Sequence, residues 1–144
     1  MTGIKRFVFD TNVLVSAVLL PGGAASLAYT MALDYGVFVV SPDLMWEYET
    51  FLMRPKFDRY VSIKSRRTFL DALYDSVVWI ETTSRITDCR DPKDNMILEL
   101  AIDAYASAII TGDQDLLALH PYHNIPIIAP GHLANPTKPI AFSP

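Results

Sequence analysis

Five short apolar runs, separated by segments of helical period, constrain this 144-residue chain more than any other feature. Residues 4–9, 37–40, 77–80, 108–110 and 125–129 are dominated by apolar, largely β-branched or aromatic side chains, and each reads as a buried strand. Capped helical patterns lie between them. Asp10 or Thr11 can cap a helix that runs to Leu20, where Pro21-Gly22-Gly23 closes it. Residues 24–35 form a second helix, ended by Gly36. Ser41-Pro42-Asp43 supplies an N-cap with proline at the first helical position. The helix beyond carries Leu44, Met45, Trp46, Phe51 and Leu52 and stops near Arg54-Pro55. Residues 62–74 form a basic helix with Phe69, Leu70 and Leu73 inward. Asp91-Pro92 repeats the cap-and-proline signal before a helix over 93–105, which buries Ile97, Leu98 and Ala101. Strands alternating with helices define the α/β class: a three-layer α/β/α sandwich whose central, mostly parallel sheet has about five strands. Ligands of such sheets bind outside the carboxyl ends of the strands.

An apolar content of 51% excludes disorder and supports one core, read here as a single domain over 1–135 with a proline-containing tail over 136–144. Cys89 is the only cysteine, which excludes a disulfide scaffold and fits a reducing cytoplasm. Lys5-Arg6 and the apolar run 13–20 imitate a secretory leader. Asp10 and Asn12 interrupt that pattern, and Pro21-Gly22-Gly23 ends it short of a membrane span, so the segment reads as soluble core. The formal net charge is −4, which by itself argues against a generic nucleic-acid binder. The charges are segregated, however. Arg54, Lys56, Arg59, Lys64, Arg66 and Arg67 face only Asp58 within 54–67. Asp88, Asp91, Asp94, Glu99, Asp103, Asp113 and Asp115 face only Arg90 and Lys93 within 88–115.

The acids carry the chemistry. Asp10 ends the first strand and Asp113 follows the fourth by two residues, so both reach the carboxyl edge of the sheet. Asp94 lies in the first turn of one helix and Glu47 about one turn into another. Four carboxylates from four segments repel one another, and a divalent cation removes that cost. Hard oxygen ligands at this density suit Mg²⁺ or Mn²⁺. Each acid also has a local reading: a cap for Asp10, a helix-dipole charge for Asp94, a solvated helix position for Glu47, a turn former for Asp113. Glu99 and Asp103 share another helix face and read as a solvated stripe, while Asp115 either caps Leu116-Leu117 or adds a ligand. The basic stretch either tracks a phosphate backbone or is a solvated helix face.

The motifs resemble those of the PIN-domain family. Phe7-Val8-Phe9-Asp10-Thr11-Asn12-Val13-Leu14 is similar to its opening, and Leu44-Met45-Trp46-Glu47 to its second motif. Asp91-Pro92-Lys93-Asp94-Asn95 and Thr111-Gly112-Asp113-Gln114-Asp115-Leu116-Leu117 resemble the third and fourth. Four motifs in order cover essentially the whole chain. Arg54-Pro55-Lys56-Phe57 and the Thr-Gly-Asp run are similar to a prokaryotic VapC-like branch of toxin components from toxin–antitoxin pairs.

The resemblance implies a cytoplasmic, Mg²⁺- or Mn²⁺-dependent endoribonuclease. Asp10, Glu47, Asp94 and Asp113 match the acidic quartet that would hold the metal, with Glu49 the alternative to Glu47. Thr11 and Asn12 match supporting positions, and Asp115 an additional acid. It also implies an RNA substrate, a small antitoxin partner and a homodimer, with Arg54, Lys56, Arg59, Lys64, Arg66 and Arg67 as candidate RNA contacts. Two other readings compete. A haloacid-dehalogenase-like phosphatase also starts with a strand ending in Asp, but Asn12 and Leu117 stand where its further acids belong. A catalytically silent PIN-like binding module should have lost part of the acidic set. P-loop and His-Glu-x-x-His patterns are absent.

Overall fold

The computed structural model describes residues 3–135, together with Ile140 and Phe142. The strands are β1 (Lys5–Phe9), β2 (Gly36–Val40), β3 (Val78–Trp79), β4 (Ala108–Ile110) and β5 (Ile127–Ile128). They form one sheet in the order β3-β2-β1-β4-β5, with every pairing parallel. The helices are α1 (Thr11–Leu19), α2 (Ala24–Tyr35), α3 (Pro42–Leu52), α4 (Ile63–Ser76), α5 (Asn95–Asp103), α6 (Gln114–Leu117) and α7 (Pro130–Ala134). Together they make the expected α/β/α sandwich. Parallel strands covered by helices lose the polar–apolar alternation, and Phe7, Val8, Phe9, Ala108, Ile109 and Ile110 are accordingly all buried.

The chain runs outward from β1 to β2 and β3, then returns to the other side of β1 to place β4 and β5. That reversal opens a crevice between the carboxyl ends of β1 and β4. The register aligns Phe9 with Ile110, so Asp10 and Thr111 leave the sheet side by side. On β1's other flank Lys5 aligns with Gly36, where an added Cβ would lie 1.9 Å from the Lys5 carbonyl oxygen. The Phe9 and Phe38 rings meet at 4.8 Å between centroids, tilted by 52°, and Tyr29 of α2 packs against both.

Several elements are shorter than the sequence suggests. Edge strands β3 and β5 keep two residues each, since each has a neighbour on one side only. The helix expected over 93–105 begins as a 3-10 turn, Pro92–Asp94, because the Asp91 carboxylate accepts the Lys93 N–H at 3.1 Å and its carbonyl accepts the Asp94 N–H at 3.0 Å. Its far end turns off at Tyr105, whose φ is +52°. The solvated stripe is a correction. Asp103 accepts the N–H groups of Thr83 and Ser84 at 2.6 and 2.9 Å and the Ser84 hydroxyl, and Glu99 accepts the Ile86 N–H at 2.9 Å. These carboxylates satisfy backbone N–H groups of the connection beyond Ile80, which has no strand partner there. The Ser84 bonds hold the Asp103 carboxyl below its usual range. The tail expected over 136–144 lies outside the described residues except Ile140 and Phe142, both packed on the core. The Phe142 ring meets Phe7 edge-on at 5.5 Å.

Among the described residues, no single helix is long and apolar enough to cross a membrane. The pair α1 and α2 reaches that length and composition together, but bends by 105° between them.

Candidate active site

The site is built at the switch between β1 and β4. Buried β1 ends at Phe9, whose carbonyl accepts the phenol of Tyr48 from α3. Asp10 follows in extended conformation and caps α1, its Oδ1 accepting the Thr11 N–H at 2.8 Å. Its Oδ2 accepts the Thr111 hydroxyl at 2.7 Å. Thr111 Oγ1 in turn accepts the Asp113 N–H at 3.0 Å, which sets the turn carrying Asp113. Asp113 caps α6 by accepting the Asp115 N–H at 2.8 Å. The capping roles are therefore present, and they orient the acids rather than replace their presence in the cleft. Across the crevice, the Thr11 hydroxyl donates to Glu47 Oε2.

These elements enclose a cleft of about 150 Å³ lined by Asp10, Thr11, Asn12, Glu47, Phe51, Asp91, Lys93, Asp94, Met96, Ile97 and Asp113. Five carboxylates thus face one cation, Lys93. The crowding is visible in protonation. Burial pushes the Asp94 carboxyl up to about 7, aided by the charges of Asp113, Asp10 and Asp91 and by a hydrogen bond to Asp113 that needs the proton. Burial also raises Asp10, against the bonds from Thr111 and Thr11, and Asp113 and Glu47 add to the rise. As a carboxylate, Asp94 has a buried Oδ2 with no hydrogen-bond partner. An orphaned anionic oxygen among four other acids fits a cation, and an all-oxygen donor set fits Mg²⁺ or Mn²⁺. Among the described residues no three acids, histidines or cysteines form a ready-made metal cage. Mg²⁺ is commonly held by one or two carboxylates, with water and substrate phosphate completing the shell.

Asp10, Glu47, Asp94 and Asp113 therefore meet at one cleft, with Thr11 and Asn12 beside them. Glu49 points elsewhere, into an ion pair with Arg67 at 3.2 Å. Asp115 meets the site through its backbone N–H, and its carboxylate lies 3.9 Å from Arg90. The basic stretch divides. Arg54, Lys56, Arg59, Lys64 and Arg67 are exposed, but Arg66 is 0% exposed. Its guanidinium donates to the carbonyls of Val61, Leu52 and Arg54 and to Asp58, so as an RNA contact Arg66 is a correction: no face of it is free for a phosphate. Cys89 is buried, with its thiol pushed up chiefly by burial, and is no nucleophile. Sequence reasoning missed Thr111, Tyr48 and Lys93 as parts of the site. The local signal for Thr111 is its place at the end of an apolar strand directly before Gly112-Asp113, which gives its position but not its partner Asp10.

Fold and cleft together define an open, all-parallel α/β/α domain with an acidic cleft at its switch point. Residues 6–115 match the family model described as PIN domain, and the chain belongs to that family, whose members are generally nucleases. The chain is also 30% identical over 134 residues to the uncharacterized protein MJ1680 of Methanocaldococcus jannaschii, a match covering 92% of this chain and 86% of that protein.

Proposed function

We propose that this PIN domain is a Mg²⁺- or Mn²⁺-dependent endoribonuclease that hydrolyses RNA phosphodiester bonds. The carrying observation is the cleft itself: five carboxylates around one lysine, with a buried Asp94 oxygen that no donor satisfies. Asp10, Glu47, Asp94 and Asp113 would hold the cation, which when bound supplies a lowered water pKa and charge neutralisation at phosphate. The protein's own part is placement. Thr111 and the Thr11 N–H hold the Asp10 carboxylate, and the Thr11 hydroxyl holds Glu47. Asn12 presents an exposed amide at the rim, able to donate to a phosphate oxygen. Lys93 offers a positive charge to the same group.

Asp10→Asn tests the reading. The variant should fold cooperatively, lose carboxylate-dependent Mn²⁺ binding by calorimetry, and lose RNA cleavage. Cleavage by purified Asp10→Asn protein at the wild-type rate would sink the proposal, and wild-type protein that binds no Mn²⁺ would favour a silent binding module. The finer assignment, a cytoplasmic homodimeric toxin with a small antitoxin partner, is supported by the VapC-like Arg54-Pro55-Lys56-Phe57 and Thr-Gly-Asp segments. Expression should then arrest growth, and Asp10→Asn or co-expression of a small neighbouring reading frame should relieve the arrest.

A further inference from the structure

The buried Arg66 shapes the loop above it. Its guanidinium ties down the carbonyls of Leu52 and Arg54 at 3.0 and 3.3 Å, that of Val61 at 3.0 Å, and the Asp58 carboxylate. The loop around the 3-10 turn Pro55–Phe57 is therefore fixed, and its one acid is already paired. What it presents outward is a series of cation–aromatic stacks. The Arg54 guanidinium lies 3.9 Å from the Phe51 ring centroid, Lys56 Nζ lies 5.1 Å from that of Phe57, and the Arg59 guanidinium lies 4.9 Å from that of Tyr60. Arg59 also donates to the Tyr60 hydroxyl at 2.8 Å. Residues 55–60 surround a concavity of about 500 Å³, and Tyr60 is 61% exposed. Phe51, at the start of the series, also lines the acidic cleft.

We propose that residues 54–60 form a stacking platform for single-stranded RNA leading into the cleft: bases lie on the guanidinium planes and the Tyr60 ring, and Arg54, Lys56 and Arg59 neutralise phosphates. Single strands expose base faces that a duplex keeps stacked inside, and exposed aromatic and guanidinium planes are the groups that receive them. A fixed loop gives up little conformational entropy on binding, which favours a preformed platform. The inference rests on the nuclease reading for its substrate, but not for its test.

Binding is measured in EDTA, where no metal-dependent cleavage intervenes, by anisotropy of a short fluorescent oligouridylate. The comparison probes are an abasic RNA of equal length and an RNA duplex. Wild-type protein should bind the oligouridylate about tenfold or more tighter than the abasic strand, the order expected from stacking one or more bases. Tyr60→Ser should erase that preference, with its thermal melt unchanged because the side chain lies outside the core. Lys56→Gln should weaken both single strands and lower the slope of log K against log salt by about 0.7. Equal binding of abasic and normal strands by wild type, a Tyr60→Ser variant with undiminished preference, or equally tight binding of duplex would overturn the platform. So would displacement by polyglutamate as effective as by RNA, which would make the loop a dock for an acidic protein segment. A protein that discriminates as expected but cuts nothing refutes the nuclease reading alone. One that cuts RNA without discriminating refutes the platform alone.

Discussion

Replacing Asp94 by asparagine should stabilise the metal-free protein, and by an amount that depends on pH. The Asp94 carboxyl titrates near 7 in the folded protein, against an ordinary value of 3.8. Between roughly pH 4 and pH 7 the folded protein holds a proton that the unfolded chain has released, so unfolding releases it. The favourable contribution is full below about pH 4, falls through that window, and is gone above about pH 7, where the ionised carboxylate sits unpartnered. At about 1.4 kcal/mol per pH unit the ceiling is about 4 kcal/mol. Asp94 keeps partial contact with water, and screening reduces the expected effect to about 1–2 kcal/mol. In EDTA, urea unfolding should show Asp94→Asn more stable than wild type by that amount at pH 8, with the difference vanishing near pH 4. Subtracting the two proteins cancels the titration of the other groups. Saturating Mn²⁺ should reverse the order, since a ligand at 100 times its Kd adds about 2.7 kcal/mol to the protein that binds it. A difference between the two proteins that stays constant from pH 4 to pH 8 would refute the crowded-carboxylate account.

Two further outcomes concern the scaffold. Arg66→Met should cost about 2–3 kcal/mol in chemical denaturation, because the carbonyls of Leu52 and Val61 lose the guanidinium, and that of Arg54 keeps only the Phe57 N–H. The cost stays at the lower end for a buried pair because Asp58 is half-exposed and can turn to water; a loss under about 0.5 kcal/mol would show the loop is held by something else. Gly36→Ala should cost about 1–3 kcal/mol, since its methyl would enter the Lys5 carbonyl, whereas Gly112→Ala, with open space at its Cβ, should be close to neutral; equal thermal melts for the two variants would contradict the register.

How far the sequence reveals this arrangement depends on the range of the interaction. Strand and helix starts are local signals: Asp10, Ser41 and Asp91 each cap the segment they precede, as their neighbours suggest. Glu47 could be preferred to Glu49 because two steps along a helix turn the side chain well away, and the packing of Leu44 and Met45 orients the face. Arg66 could not be told from Arg67 within the same charge run, because its partners are backbone carbonyls that any sequence supplies. Thr111 escaped for the opposite reason. Its bond to Asp10 spans 101 residues and exists only once the register of β1 on β4 is known.

That same bond has a consequence in time. β1 is the first strand to be synthesised yet the middle of the finished sheet, and its second neighbour comes from residues 108–110. A nascent chain can pair β1 with β2 and bring Asp10 towards Glu47 long before Asp94 and Asp113 have been made. Contacts at such sequence separation form late because loop closure must precede them. Whatever chemistry the cleft performs therefore waits until β4 and the turn carrying Asp113 have been made, and a fragment released before them carries half of an acid cluster without the half that completes it.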